Sequence, residues 1–211
     1  MPSRIKFISE LDLVRVRTRG YLPHWEAPGA TYAVTFRLRD SVPRALIFQL
    51  IEEKKTLARR VTGGARPLTP IEAMEIRADL ERRLDEILDR NLGSSHMRNP
   101  AVAEMVARTL THFEGDRYVL HAWTVMPNHV HAIVEPLGEW ALHTILHSWK
   151  SWSSNRANEI LRRRGRFWQR EYFDRIIRDD DELGRAIDYV VENPIAAGLT
   201  DWRWTSTAWK T

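Results

Sequence analysis

The 211 residues contain no cysteine, which removes disulfides and thiolate metal centres from consideration and makes a reducing cytosol the natural setting. No apolar run is long enough to span a bilayer, and the opening MPSRIKFISELDL lacks the apolar core of a secretory leader. Internal repeats and low-complexity tracts are absent as well. What is present is ordinary for a soluble globular chain: 43% hydrophobic and 28% charged residues, with length for one domain and a substantial core. The net charge of +4 inclines the chain toward an anionic partner, though only modestly. Where that charge sits says more.

The first thirty residues read as a basic arm: RVRTRGYLPHWEAPG mixes Arg15, Arg17 and Arg19 with aromatics and turn residues and shows no clear period. TYAVTFRL then alternates, placing Tyr32, Val34, Phe36 and Leu38 on one face of a half-buried strand. Pro43 opens a helix to about Arg60. Thr69-Pro70-Ile71-Glu72 starts another with a threonine cap, proline at the first position and glutamate at the third. That helix should run to about Asn91, with Ile76, Leu80, Leu84, Ile87 and Leu88 on one side and a charged, solvated face opposite. A further helix is expected over roughly 100–113, so that 62–115 forms a helical insertion.

RYVLHAWTVM and HVHAIVE are strand-like and joined by Pro127-Asn128, a turn dipeptide, so they should form a hairpin. A long helix from about Trp140 to Arg163 follows, with Leu142, Ile145, Leu146, Trp149, Trp152 and Ile160 as its apolar side. EYFDRII reads as a strand of poor alternation. A last helix begins at the acidic residues 179–182 and should stop near Pro194, because the residue before a proline is pushed out of the α region. The order fits one α+β domain: a ferredoxin-like βαββαβ antiparallel sheet with helices on one face, the insertion, an added C-terminal helix and a tail from 195.

MPNHVHAIVEP carries the chemistry. Successive strand residues point to opposite faces, so His129 and His131 share a face about 7 Å apart, while Val130, Ala132 and Val134 use the other. Two imidazoles aimed at one point suit a divalent metal, although His-x-His alone fits two solvent-facing histidines as well. The last helix adds to this. Leu183, Ile187, Val190, Val191 and Pro194 form its apolar stripe, and Tyr189 lies roughly 140° from the centre of that stripe. Asn193 follows Tyr189 by one turn and can share a site with it. Two imidazoles, an amide oxygen and a phenol suit attack by a phenolate on a phosphodiester, with the metal as Lewis acid. The phosphotyrosine bond would keep the energy of the broken linkage, so that a DNA hydroxyl can reverse it. Free phenol has a pKa of about 10 and needs help to lose its proton.

Between the two halves of this constellation lies WKSWSSNRANEILRRRGRFWQR, in which Lys150, Arg156, Arg162, Arg163, Arg164, Arg166 and Arg170 face Glu159 alone in charge. Arginines contact phosphates and aromatics stack on unpaired bases, so these residues are the candidates for DNA binding. Trp149 and Trp152 are read as core, and part of the arginine charge simply complements a helix C-terminus.

VMPNHVHAIVEP, HSWKSWSSNRAN, FWQREYFDRIIRDDDEL and AIDYVVENPIAAGL, in that order, resemble the single-tyrosine HUH transposases, and among them the REP-associated tyrosine transposases, relatives of the IS200-like transposases. The resemblance runs from about Gly29 to the end. It implies a ferredoxin-like HUH nuclease fold and metal-dependent cleavage and rejoining of single-stranded DNA at hairpins formed by palindromic repeats, in a cytoplasmic, nucleoid-associated protein. His129 and His131 match the HUH pair, Tyr189 the nucleophile that takes the 5′-phosphate, and Asn193 the further polar ligand four residues on, often glutamine in the relatives. The metal is Mg²⁺ or Mn²⁺, because magnesium prefers oxygen ligands while two imidazoles suit manganese equally. The partner expected is single-stranded or hairpin DNA and not a membrane, with the protein a monomer or a homodimer.

Three rivals remain at this level. A histidine-triad nucleotide hydrolase needs a third histidine where this chain has Ile133. Relaxases and replication initiators carry a third histidine ligand and extra domains. A domesticated single-strand-binding module with a vestigial site would keep the fold and lose the reaction. Tyr172 is the one credible substitute nucleophile. The tail DWRWTSTAWKT either folds over the site or caps the sheet.

Overall fold

The computed structural model describes residues 15–18, 23–27 and 29–208. Part of the arm forms an antiparallel ribbon, β1 (Arg15–Thr18) with β2 (Pro23–Glu26), with Arg15 opposite Glu26. Arg19 lies outside the described residues. Backbone contacts divide the chain into two compact units, one running to Arg39 and resuming at Ser95, the other Asp40–Ser94.

The first unit holds a five-stranded antiparallel sheet built from β3 (Tyr32–Arg37), β4 (Tyr118–Val125), β5 (His129–Pro136), β6 (Phe173–Ile176) and β7 (Thr205–Thr207), in the order β6-β3-β5-β4-β7. Without β7 this is the ferredoxin-like order expected from the sequence. Pro127 and Asn128 turn β4 into β5, and the turn is tied down by hydrogen bonds from Leu38 N to Asn128 O (2.8 Å) and from Met97 N to Pro127 O (3.0 Å).

One face of this sheet is a dry core. Tyr32, Val34, Phe36, Val130, Ala132 and Val134 meet two helices, α3 (Pro100–Thr111) and α4 (Leu142–Ile160). Asn99 caps α3 by accepting a hydrogen bond from Ala101 N, and Pro100 opens it without a lost donor. The expected insertion at 62–115 is therefore divided, because α3 packs on the sheet. The buried side of α4 is Leu142, Ile145, Leu146, Trp149, Ser153 and Ala157, whereas Trp152 is 51% exposed and Ile160 37%. The expected stripe through Trp152 and Ile160 is corrected here. The ridge from Trp149 continues at i+4 through small residues, since Ser153 must leave room for Trp168, whose Nε1 donates to its Oγ at 2.8 Å.

The other face of the sheet carries one helix, α5 (Asp180–Ala196). Asp179 caps it by accepting from Glu182 N at 2.7 Å, and residues 180–182 put three carboxylates at its positive end. Leu183, Ala186, Ile187 and Val190 pack on Ala122, Ile133 and Ile177. The helix passes through Pro194 instead of stopping there. A proline in the last turn removes one N–H, and the chain end is closed downstream by Ala197 N to Asn193 O and Leu199 N to Pro194 O.

A bulge in β4 serves both faces. The pairing jumps from Leu120 opposite Val134 to Ala122 opposite Ile133, so His121 is the extra residue. Leu120 faces the dry core before it, and Ala122 and Thr124 face α5 after it. The tail caps the sheet: β7 pairs with β4, Trp202 Nε1 donates to Val125 O (2.6 Å), and Trp204 is buried in the core.

The second unit pairs α1 (Arg44–Thr62) with α2 (Pro70–Asp89), linked by Arg83 and Glu53 at 3.0 Å. The capping box at Thr69 and Glu72 forms as the sequence requires, and the Arg77–Glu81 and Arg82–Glu86 pairs lie along the charged side of α2. Gly93 is needed for space, because a Cβ there would lie 2.3 Å from the Asp40 carbonyl oxygen. Among the described residues no helix is long and apolar enough to cross a membrane.

Candidate functional site

β5 is the central strand, so its side chains are buried whichever way they point. His129 and His131 point toward the α5 face and are 0% and 2% exposed. The cross-strand neighbours of His131 are Thr35 and Thr124, and that of His129 on β3 is Arg37. The threonines leave room for the imidazole rings, where larger residues would fill the face.

The two rings meet edge to face, and their Nε2 atoms are 2.8 Å apart. The outer nitrogens are held as well: His129 Nδ1 lies 2.6 Å from Asn128 Oδ1, and His131 Nδ1 lies 2.8 Å from Thr35 Oγ1. Burial holds the His129 pKa well below its ordinary value, with the neighbouring His131 as a lesser cause. Burial alone brings His131 down to about 3. Both imidazoles are therefore neutral at physiological pH, the state that binds a cation or accepts a proton.

Tyr189 sits where α5 crosses this pair. It is 46% exposed, in keeping with its place off the apolar stripe, and its ring centroid is 5.4 Å from that of His131. Asn193, one turn on, lies on the buried side of α5, and its Oδ1 is buried without a hydrogen bond among the described residues. Burying an amide oxygen unsatisfied is costly, so a group that draws on it is the natural complement. Among the described residues no three His, Cys, Asp or Glu side chains gather as a metal cluster. The donors in this region are two neutral imidazoles on β5 and an amide oxygen on α5, atom types that Mg²⁺ and Mn²⁺ both take.

Tyr172 belongs to the other face. It precedes β6, where Asp174 is opposite Val34, and it packs on the dry core that Val34 shares. Alternation thus sets it across the sheet from the histidines.

The basic stretch is spread over several roles. Lys150, Arg166 and Arg170 line a groove of about 650 Å³ beside α4, together with His143, His147 and Gln169. Lys150 Nζ donates to Arg170 O (2.7 Å), and burial lowers its pKa to about 8. Arg163 is engaged inward, donating to His96 Nε2 (2.6 Å) and to Arg166 O (3.3 Å). Arg156 pairs with Glu159, while Arg162 and Arg164 are exposed in the turn after α4. For Arg15 and Arg17 the structure describes the backbone of β1 alone. Sequence reasoning missed Thr35, Arg37 and Asn128 as neighbours of the pair. Thr35 read as the polar side of an alternating strand and Asn128 as a turn residue, and only register joins them to the histidines.

The family model described as "Transposase IS200 like" matches residues 95–193. Among solved structures, a REP-associated tyrosine transposase bound to a REP hairpin is similar over 88% of this chain and 81% of its own, at 15% identity and a TM-score of 0.51. A transposase from Deinococcus radiodurans R1 aligns over 84% of this chain and 96% of its own, at 11% identity and a TM-score of 0.34. No curated protein matches the chain.

Proposed function

We propose, for a chain that belongs through residues 95–193 to the IS200-like transposases, that it cleaves and rejoins single-stranded DNA at hairpin-forming palindromic repeats through a phosphotyrosine intermediate. The observation that carries this reading is the meeting of Tyr189 on α5 with the buried His129–His131 pair on β5. The similar structure bound to a REP hairpin supports the choice of DNA.

In this reading the Tyr189 oxygen attacks the scissile phosphorus. A bond forms between phosphorus and the phenolic oxygen as the phenol gives up its proton, the bond from phosphorus to the 3′-oxygen breaks, and the freed 3′-oxygen takes up a proton to become a hydroxyl. Rejoining is the reverse attack by a DNA hydroxyl. His129, His131 and Asn193 would hold a divalent cation, which when bound polarises the phosphate and offsets its charge. Partial exposure of Tyr189 lets a DNA strand reach its oxygen from solvent, while the buried histidines keep one orientation. The groove with Lys150, Arg166 and Arg170, and the exposed Arg162 and Arg164, would take other phosphates of the strand. Arg156 and Arg163, each already paired, contribute less, and the arm with Arg15, Arg17 and Arg19 would help to choose the site.

The test incubates the protein with labelled hairpin DNA from its own genomic neighbourhood in Mg²⁺, Mn²⁺ or chelator, followed by a denaturing gel. A covalent protein–DNA band that needs the cation and is lost in Tyr189→Phe is expected. Tight binding with no adduct on any hairpin would overturn the reading in favour of a single-strand-binding module.

A further inference from the structure

The histidine pair is the middle of a buried hydrogen-bond chain, Thr35–His131–His129–Asn128, with separations of 2.8, 2.8 and 2.6 Å. We propose that Asn128 and Thr35 are positioning residues that set the tautomers of the pair: Asn128 locks His129, and the Thr35 hydroxyl is the rotor that lets His131 change tautomer when the pair takes a divalent cation. This rests on the cation reading above only in its second half.

The direction of the chain follows from one end. Asn128 presents its amide oxygen, which can only accept, so His129 must carry its proton on Nδ1. His129 Nε2 is then a bare acceptor, and the atom opposite it, His131 Nε2, must donate. His131 Nδ1 is left bare and accepts from the Thr35 hydroxyl. Every member is satisfied, and both rings are neutral. Turning the amide would reverse every donor, so Asn128 decides the whole direction. Asn128 is fully buried on a turn whose backbone oxygen is bonded to Leu38 N.

The pair so arranged offers one lone pair, on His129 Nε2. To offer two, His131 must carry its proton on Nδ1 instead. An imidazole N–H buried without an acceptor is costly, and the hydroxyl removes that cost by rotating from donor to acceptor. The bookkeeping of protons is closed: His131 loses one at Nε2 and gains one at Nδ1, and the pair releases none. A carboxylate at position 35 could only accept, and a valine could do neither. Threonine serves both states.

The experiment is ¹⁵N spectroscopy of the imidazoles in the folded, cation-free protein, with Mn²⁺ calorimetry beside it. Expected are protonated Nδ1 on His129 and protonated Nε2 on His131. In Thr35→Val, which keeps the shape of a central-strand residue, Mn²⁺ affinity should fall by about 10- to 100-fold, the usual loss for an outer partner of a metal-bound histidine. Thr35→Ser should restore it. In the unaltered protein Mn²⁺ uptake at pH 7.5 should show no proton release across buffers of different ionisation enthalpy. A proton on His131 Nδ1 in the cation-free protein overturns the direction of the chain. Unchanged Mn²⁺ affinity in Thr35→Val overturns the rotor. If the unaltered protein takes up no Mn²⁺, the cation reading fails, and the spectra still decide the role of Asn128.

Discussion

The two faces of the sheet are built from alternate residues of the same strands, yet they are different kinds of surface. The face under α3 and α4 is aromatic and aliphatic: Phe36, Trp149, Tyr118 and Trp168 interlock, with Phe36 and Trp168 at 4.8 Å edge to face, and their few polar atoms are all hydrogen-bonded, as in Trp149 Nε1 to Tyr118 Oη at 2.9 Å and Trp168 Nε1 to Ser153 Oγ at 2.8 Å. The face under α5 has a small apolar patch, from Leu183 to Val190, and beside it two imidazoles, two threonines and a buried amide. The first face buries apolar groups and the second buries polar ones. Neutral histidines side by side, and an amide oxygen with no partner, lower stability, and the dry face allows the other to be chemically ready.

Five measurements would break or sharpen this contrast. Tyr189→Phe should lose the covalent adduct entirely while moving unfolding stability by no more than about 0.5 kcal/mol, because the residue is half exposed. A large stability loss would mean that α5 depends on the phenol for its seat. Trp149→Ala, on the other face, should cost about 3–5 kcal/mol in denaturant unfolding, chiefly through the cavity left beside Phe36 and Tyr118.

The third concerns pH. Both histidines have folded pKa values below the ordinary 6.5, so below that pH the unfolded chain takes up protons that the folded pair refuses. The pair's contribution to stability should therefore be level above about 6.5 and fall as the pH drops toward 3, by up to about 1.4 kcal/mol per pH unit for each histidine. Between pH 5 and 6.5 the buried Asp89, raised to about 6, adds a slope of opposite sign, so the pair is read by difference: His131→Gln should remove the slope of one histidine and leave that of Asp89 in place. The smallest effects are expected from Trp152→Ala, within about 0.5 kcal/mol of the unaltered protein, and from Tyr172→Phe, with undiminished adduct. Either one proving large would blur the line between the faces.

Much of this was legible before any coordinates. Alternation in TYAVTFRL, the capping box at Thr69 and the turn at Pro127-Asn128 are local physics, and each element formed where its own residues require it. Tyr189 stood out because a helix wheel put it off the apolar stripe, and it is exposed at the edge of the histidine pair. The side of α4 was harder to read, because a tryptophan three residues from Trp149 and a serine four residues from it differ in burial only through Trp168, which arrives from later in the chain. The facing of β4 was hidden too, since the extra residue at His121 reverses alternation and leaves no mark in composition.

Residue type and spacing by themselves determined the order of elements along the chain, the two histidines on one face and the tyrosine off its helix's apolar stripe, because a strand's period of two and a helix's period of 3.6 are properties of the backbone. Tertiary structure alone decided the surroundings of that pair. Cross-strand register brings Thr35 to His131 and Arg37 to His129, and the turn brings Asn128 to His129 Nδ1. Packing of α5 over the sheet then takes water away, and with it the proton that an exposed histidine would hold below its ordinary pKa. Such contacts join residues far apart in sequence, and burial is a property of the assembled layers.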